Sequence, residues 1–245
     1  MGRLQEVGVC GWLIGEFRVL GFELVEWLIR ERLATTDDDS TLPLNMSQVF
    51  LRAKWLNLIM ANYEVDPTIL SQYLPKYTEL DFYDDTCYVS LVGFLFKDTR
   101  LKGMAIPFHR NFEEINLRFY VRQKENNKWK RGVVFLREIV PLPAIATVAN
   151  VVYGEHYRTH KTKHFWNLGE DEWHIEYHWK LKKDWNYLKV FAESSSHPIA
   201  EGSVEEFIAI QNWGYTRVNE QNTSVYQVHH PNWLIHPVRP RPMRY

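Results

Sequence analysis

Alternation of apolar and polar positions dominates this chain and predicts strands along most of its length. Phe50–Val65 reads as a long first strand, and Asp66-Pro67 supplies an N-cap and a first-turn proline for a short helix through Leu74. Thr78–Phe82 and Thr86–Phe96 flank Tyr83-Asp84-Asp85 as a predicted hairpin, and Asp98–Asn111 reads as a loop long enough to cover something. Glu114–Gln123 and Lys130–Glu138 form a second hairpin, followed by a helix over Ala144–Val152 that opens after Pro141 and Pro143 and stops at Gly154. Strands are expected at His156–Trp166, Glu172–Lys182, Tyr187–Glu193, Tyr215–Val218 and Ser224–His230. Between the last two groups, Ser203-Val204-Glu205-Glu206 is a capping box that starts a helix running to about Asn212.

The two ends follow different patterns. Leu13, Phe17, Leu20, Leu24 and Leu28 recur at helical spacing and predict an amphipathic helix within Val7–Leu33. Glu16, Arg18, Glu23 and Glu26 interrupt that stretch, so it offers neither a membrane span of about 20 apolar residues nor the clean apolar stretch of a signal peptide. Asp37-Asp38-Asp39-Ser40 then breaks the pattern ahead of Met46. Residues 1–45 are expected to be an N-terminal extension, an accessory helix or the product of a mis-assigned start, and dispensable. Residues 46–233 form the main domain, and 234–245 a C-terminal tail rich in proline and arginine.

Composition narrows the class. Thirteen Phe, thirteen Tyr and ten Trp in 245 residues suit pleated, half-buried surfaces or apolar cavities. The expected fold is mainly β, a β-rich α+β chain forming an antiparallel closed or nearly closed β-barrel with a few outer helices, because closure removes exposed strand edges. Twenty-nine Lys plus Arg against thirty Asp plus Glu leave no overall positive field, so nucleic acid is not an expected partner. Cys10 and Cys87, far apart, do not read as a secreted disulfide framework and favour a cytoplasmic setting.

Several segments carry a family resemblance: Trp55-Leu56-Asn57-Leu58, Glu64-Val65-Asp66-Pro67, Leu74-Pro75-Lys76-Tyr77, Phe112–Arg118, Gly132–Leu136, Glu201–Phe207, Tyr215-Thr216-Arg217 and Val228–Trp233. From about Met46 to Trp233 the chain resembles the YqjF-like family of uncharacterised proteins, grouped by fold with acetoacetate decarboxylase. The resemblance implies an antiparallel barrel with helices outside and a largely apolar central cavity. It also implies a missing residue. In Val152-Tyr153-Gly154-Glu155-His156-Tyr157-Arg158, Tyr157 stands where the decarboxylase has its imine-forming lysine, with Arg158 beside it. A phenol cannot form an imine with a ketone. Lys161 and Lys163 share a strand face with Tyr157 if the strand is continuous, but Lys161 would lie ~13 Å farther along.

Glu114, Asn116 and Arg118 alternate, so on a strand all three point to one face. Such a row can orient a polar ligand, and it can equally be a solvated outer face or a structural Glu–Arg pair. The resemblance makes Glu114 the counterpart of a pocket glutamate. The expected ligand-binding set is therefore Glu114, Asn116, Arg118, Tyr157 and Arg158, with Glu114 and Tyr157 the catalytic candidates. His156, His160 and His164 invite a metal reading, yet on a strand the outer pair would be ~26 Å apart, and no metal or cofactor is expected. Ser194-Ser195-Ser196-His197 reads as a polar loop.

The leading expectation is a soluble barrel that binds a small, partly apolar molecule bearing a carbonyl or carboxylate, without Schiff-base chemistry. The alternatives are an enzyme using Glu114 and Tyr157 as acid and base, and a structural or interaction module with a filled interior. The expected partner is a small-molecule ligand, with no nucleic acid and no membrane; self-association into a homo-oligomer stays open.

Overall fold

The structure, a computed structural model, describes residues 9–12, 16–23 and 49–239. Among these the chain is mainly β. The first strands are β1 (Val9–Trp12), β2 (Glu16–Glu23) and β3 (Val49–Glu64). Asp66 caps helix α1 (Pro67–Leu70) as its position before proline predicts, its carboxylate accepting from the Thr68 amide. There follow β4 (Glu79–Leu80), β5 (Tyr88–Leu101), β6 (Met104–Ala105), β7 (Phe112–Glu125) and β8 (Lys128–Val140). Helix α2 (Pro143–Tyr153) leads to β9 (Tyr157–Thr159), β10 (Thr162–Leu168), β11 (Glu172–Leu181), β12 (Asp184–Glu193) and β13 (His197–Pro198). Helix α3 (Val204–Ala209), β14 (Trp213–Arg217), β15 (Thr223–His229) and β16 (Leu234–His236) complete the order.

Thirteen of the described strands join one sheet, whose main path runs β13-β16-β1-β3-β2-β15-β14-β8-β7-β5-β6, with a further β3–β5 pairing. The path has ends at β13 and β6, so the closed barrel expected from the sequence is not confirmed by the sheet as a whole. Strands β10, β11 and β12 form a separate antiparallel sheet. Its Ile175, Tyr177 and Trp179 pack on Ile59, Ile115 and Ile139 of the large sheet. Strand β7 is therefore covered on both sides, which is why its burial does not alternate.

Several expectations are corrected. The predicted N-terminal helix is two strands where the chain is described: β1 pairs with β3 and β16, and β2 lies between β3 and β15. Pairing with partners distant in sequence has overridden the local helical spacing there, and positions 7–8, 13–15 and 24–33 lie outside the described residues. The predicted hairpin around Asp84 does not form between β4 and β5, because β4 pairs with β7 instead. The predicted strand His156–Trp166 divides: β9 adds in parallel to β8, while β10 joins the other sheet. The predicted tail carries β16, and the Arg239 amide donates to the Phe191 carbonyl.

A bulge in β8 shapes the interior. Leu117 pairs with Arg137 but Arg118 pairs with Phe135, so Leu136 is an extra residue. Before it, Val133 and Phe135 face inward, and after it the parity switches, so that Glu138 and Val140 do.

Candidate functional site

A cavity of about 280 Å³ lies inside the large sheet, with mostly apolar walls that include Trp55, Phe96, Phe112 and Phe135. Trp55 packs on Phe94 at 5.0 Å between ring centroids, and Phe96 stacks on Phe112 at 4.8 Å. Ile106 and His109, from the stretch after β6, line the cavity opposite Ala144 and Val148 of α2, and Ile106 and Val148 are exposed. That stretch was expected to cover something, and part of it borders the cavity.

Polar groups gather on one part of this apolar surface. Glu114 and Arg118 come from β7, Glu138 from β8, Tyr157 from β9 and Tyr226 from β15, and Glu155 from the connection after α2; all six line the cavity. The row predicted on β7 is not a solvated face: Glu114 is 3%, Asn116 3% and Arg118 8% exposed. Asn116 does not line the cavity. Its Nδ2 donates to Glu114 Oε1 at 2.9 Å and so orients the carboxyl, while the Tyr157 hydroxyl donates to Glu114 Oε2 at 3.0 Å.

Local structure explains these placements. Gly154 ends α2 at φ 71°, a left-handed conformation that costs glycine little. The Glu155 amide donates to Ala149 O, which places Glu155 just beyond the helix end, where Thr216 Oγ1 of β14 donates to its Oε1 at 2.8 Å. Asn150 of α2 then grips the Tyr157 backbone twice, Nδ2 donating to Tyr157 O at 2.9 Å and Oδ1 accepting from Tyr157 N at 2.8 Å. Tyr226 pairs with Gly214 across β14 and β15, and a Cβ at Gly214 would overlap the Tyr226 ring. Only glycine lets that ring lie there.

Burial raises the Glu114 carboxyl to about 7, against the bonds from Asn116 and Tyr157 and the charge of Arg118. Glu155 is likewise pushed up to about 7 by burial, with the Glu114 charge adding to it. Glu138 is raised well above the usual carboxylate range by burial, then by Glu155 and Glu114. The Tyr157 and Tyr226 hydroxyls are also held in their neutral forms, first by burial and then by the surrounding glutamates. Glu138 Oε2 and Glu155 Oε2 are buried and meet no protein donor, yet the two carboxyls are within hydrogen-bonding reach of one another. The contact is made when one of them carries a proton. Arg118 Nη2 donates to Ile208 O at 3.2 Å, and its Nε is buried without a partner.

Of the predicted residues, Glu114, Asn116, Arg118 and Tyr157 therefore come together. Arg158 does not: it is exposed, because neighbours on a strand face opposite ways. Lys161 and Lys163 are exposed beyond the break between β9 and β10, Lys163 lying over Trp185 at 4.6 Å, and no lysine lines the cavity among the described residues. His164 Nδ1 lies 2.6 Å from Glu113 Oε1, and no cluster suited to a metal occurs among the described residues. Glu138, Glu155 and Tyr226 escaped sequence reading. Simple alternation along β8 puts Glu138 on the outer face with Val134, and the bulge was the missing signal.

These features define a β-rich protein with a largely apolar cavity that carries three buried carboxyls, two phenols and one guanidinium. The chain belongs to the DUF2071 family, described as an uncharacterized conserved protein, whose model matches residues 52–243. It is 35% identical over 86 residues to the uncharacterized protein YqjF of Bacillus subtilis (strain 168), a match spanning 35% of this chain and 34% of that protein. Among solved structures it is similar to the enduracididine biosynthesis enzyme MppR with HEPES buffer bound (TM-score 0.47, 12% identity, 74% of this chain and 84% of that one). It is also similar to an acetoacetate decarboxylase-like enzyme from Sphingomonas wittichii RW1 (TM-score 0.47, 8% identity, 74% and 89%). No activity carries across at that distance. No helix among the described residues is long and apolar enough to cross a membrane.

Proposed function

We propose that the protein binds a small, largely apolar molecule carrying a carbonyl group, and that it does so without forming an imine. What carries the reading is the contrast within the cavity: apolar walls, and a few polar atoms of Arg118, Glu138 and Glu155 that are buried and unmet by the protein. Such atoms carry a desolvation cost that a ligand's polar head can relieve. Of the two head groups expected from the sequence, the surroundings favour the carbonyl. A carboxylate would bring a further negative charge among three glutamates faced by one arginine, whereas a carbonyl oxygen accepts from Tyr157, Arg118 or a protonated carboxyl.

We further infer that the pairings running β3, β2, β15, β14, β8, β7, β5 and back to β3 work as a barrel wall around this cavity. In support, β3 pairs along one edge with β2 and along the other with β5.

The test is calorimetric titration and thermal shift with phenylacetone and with phenylacetate, at pH 6 and pH 8. The ketone should bind more tightly than the acid at both. Tighter binding of phenylacetate, or no binding by either, would sink the proposal.

A further inference from the structure

Resting on that reading, we propose that Glu138 and Glu155 act as a proton-transfer pair that interconverts a bound ketone and its enol, with Arg118 and Tyr157 supplying hydrogen bonds to the carbonyl oxygen. Geometry motivates it. Glu138 and Glu155 are 3% and 9% exposed, both line the cavity, and each has an Oε2 buried without a protein donor. Glu114, by contrast, is occupied on both oxygens by Asn116 and Tyr157. The pair is thus the part of the carboxyl cluster whose lone pairs remain open to a substrate.

The step balances without any further reactant. A carboxylate oxygen of the pair takes an α-proton. The C–H bond breaks, its electron pair forms the carbon–carbon double bond, and the carbonyl π electrons move onto oxygen. That oxygen gains its hydrogen bonds from the unpartnered Arg118 Nε–H and from the Tyr157 hydroxyl, donors that a dry cavity makes effective. Return of a proton from the carboxyl to carbon regenerates the ketone, and exchange of the carboxyl proton with solvent replaces the original hydrogen. A base titrating near neutrality suits this task, and burial holds Glu155 there.

The experiment follows the methylene protons of phenylacetone by proton NMR in D2O, with wild type, Glu138→Gln and Glu155→Gln. Wild type should accelerate their exchange above buffer in a manner that saturates with ketone. Either glutamine variant should lose on the order of 100-fold or more of that acceleration while keeping the ketone-induced thermal shift. Wild-type exchange at the buffer rate together with a clear thermal shift overturns this inference and leaves the binding proposal standing. Absence of both overturns both. Unchanged exchange in the variants also overturns it, since the base would then lie elsewhere. Should a variant fail to fold, the wild-type pH profile decides: catalysed exchange should rise through about pH 7, and a profile flat after subtraction of the buffer rate refutes the pair.

Discussion

Replacing Glu155 with glutamine should stabilise the protein at alkaline pH and leave it nearly unchanged in acid. Glu155 has its folded-state pKa raised from 4.5 to about 7. The folded state therefore binds more protons than the unfolded state between those values, and the contribution of this group to stability falls as pH rises through that window. At about 1.4 kcal/mol per unit, the loss by pH 8 is on the order of 3 kcal/mol. Glutamine keeps an oxygen to accept from Thr216 and adds an amide donor toward Glu138, so the variant avoids the charge without opening a gap. Other groups titrate with the opposite sign. Glu113 and Glu176 are lowered on folding, against their burial, by bonds to their histidine neighbours, and contribute stability above the carboxylate range. Burial depresses His230 and His236, whose contributions also grow as pH rises. Comparing variant with wild type at each pH cancels these. Urea unfolding followed by tryptophan fluorescence at pH 5 and pH 8 should give a difference of about 3 kcal/mol in favour of the variant at pH 8 and near zero at pH 5. An equal difference at both pH values, or a variant less stable at pH 8, refutes the buried-carboxyl argument.

Tyr157→Phe removes the hydroxyl that donates to Glu114, and the affinity for phenylacetone, read by titration calorimetry, should fall about fivefold, as loss of roughly 1 kcal/mol implies. Gly214→Ala places a methyl group in the Tyr226 ring and should lower stability by about 1–3 kcal/mol in urea unfolding. Starting the chain at Met46 removes β2 from between β3 and β15, so the truncated protein should aggregate or lose cooperative unfolding in size-exclusion and melting assays, because two ladder edges are left bare. Borohydride added with acetoacetate should leave the intact mass unchanged, because no lysine lines the cavity among the described residues.

Legibility differed from element to element. The hairpin of β7 and β8 was readable because its turn, Asn126-Asn127, sits between two long alternating runs, and both asparagines take the positive φ such a turn needs. The ends of α2 and the start of α3 were readable from Gly154 and Ser203, residues that act on backbone groups a few positions away. The row Glu114, Asn116, Arg118 could be assigned to one face of a strand, but nothing local could say whether that face met water. The β10–β12 sheet packs against the opposite face and makes the difference. The resemblance to the YqjF-like family led to Tyr157 and Glu114, and the geometry joined them by a hydrogen bond.

Sequence alone determined the periodicities, the caps and turns, the even charge balance and the phenol where the related decarboxylase has an amine, because each of these is a property of residues close together along the chain. Tertiary structure decided which faces are buried, that a bulge at Leu136 turns Glu138 inward, that residues 16–23 complete a sheet rather than form a helix, and that three glutamates from separate segments meet around one cavity. Those outcomes depend on pairings between strands many residues apart, and the energy of a buried carboxyl is set by neighbours that no local window contains.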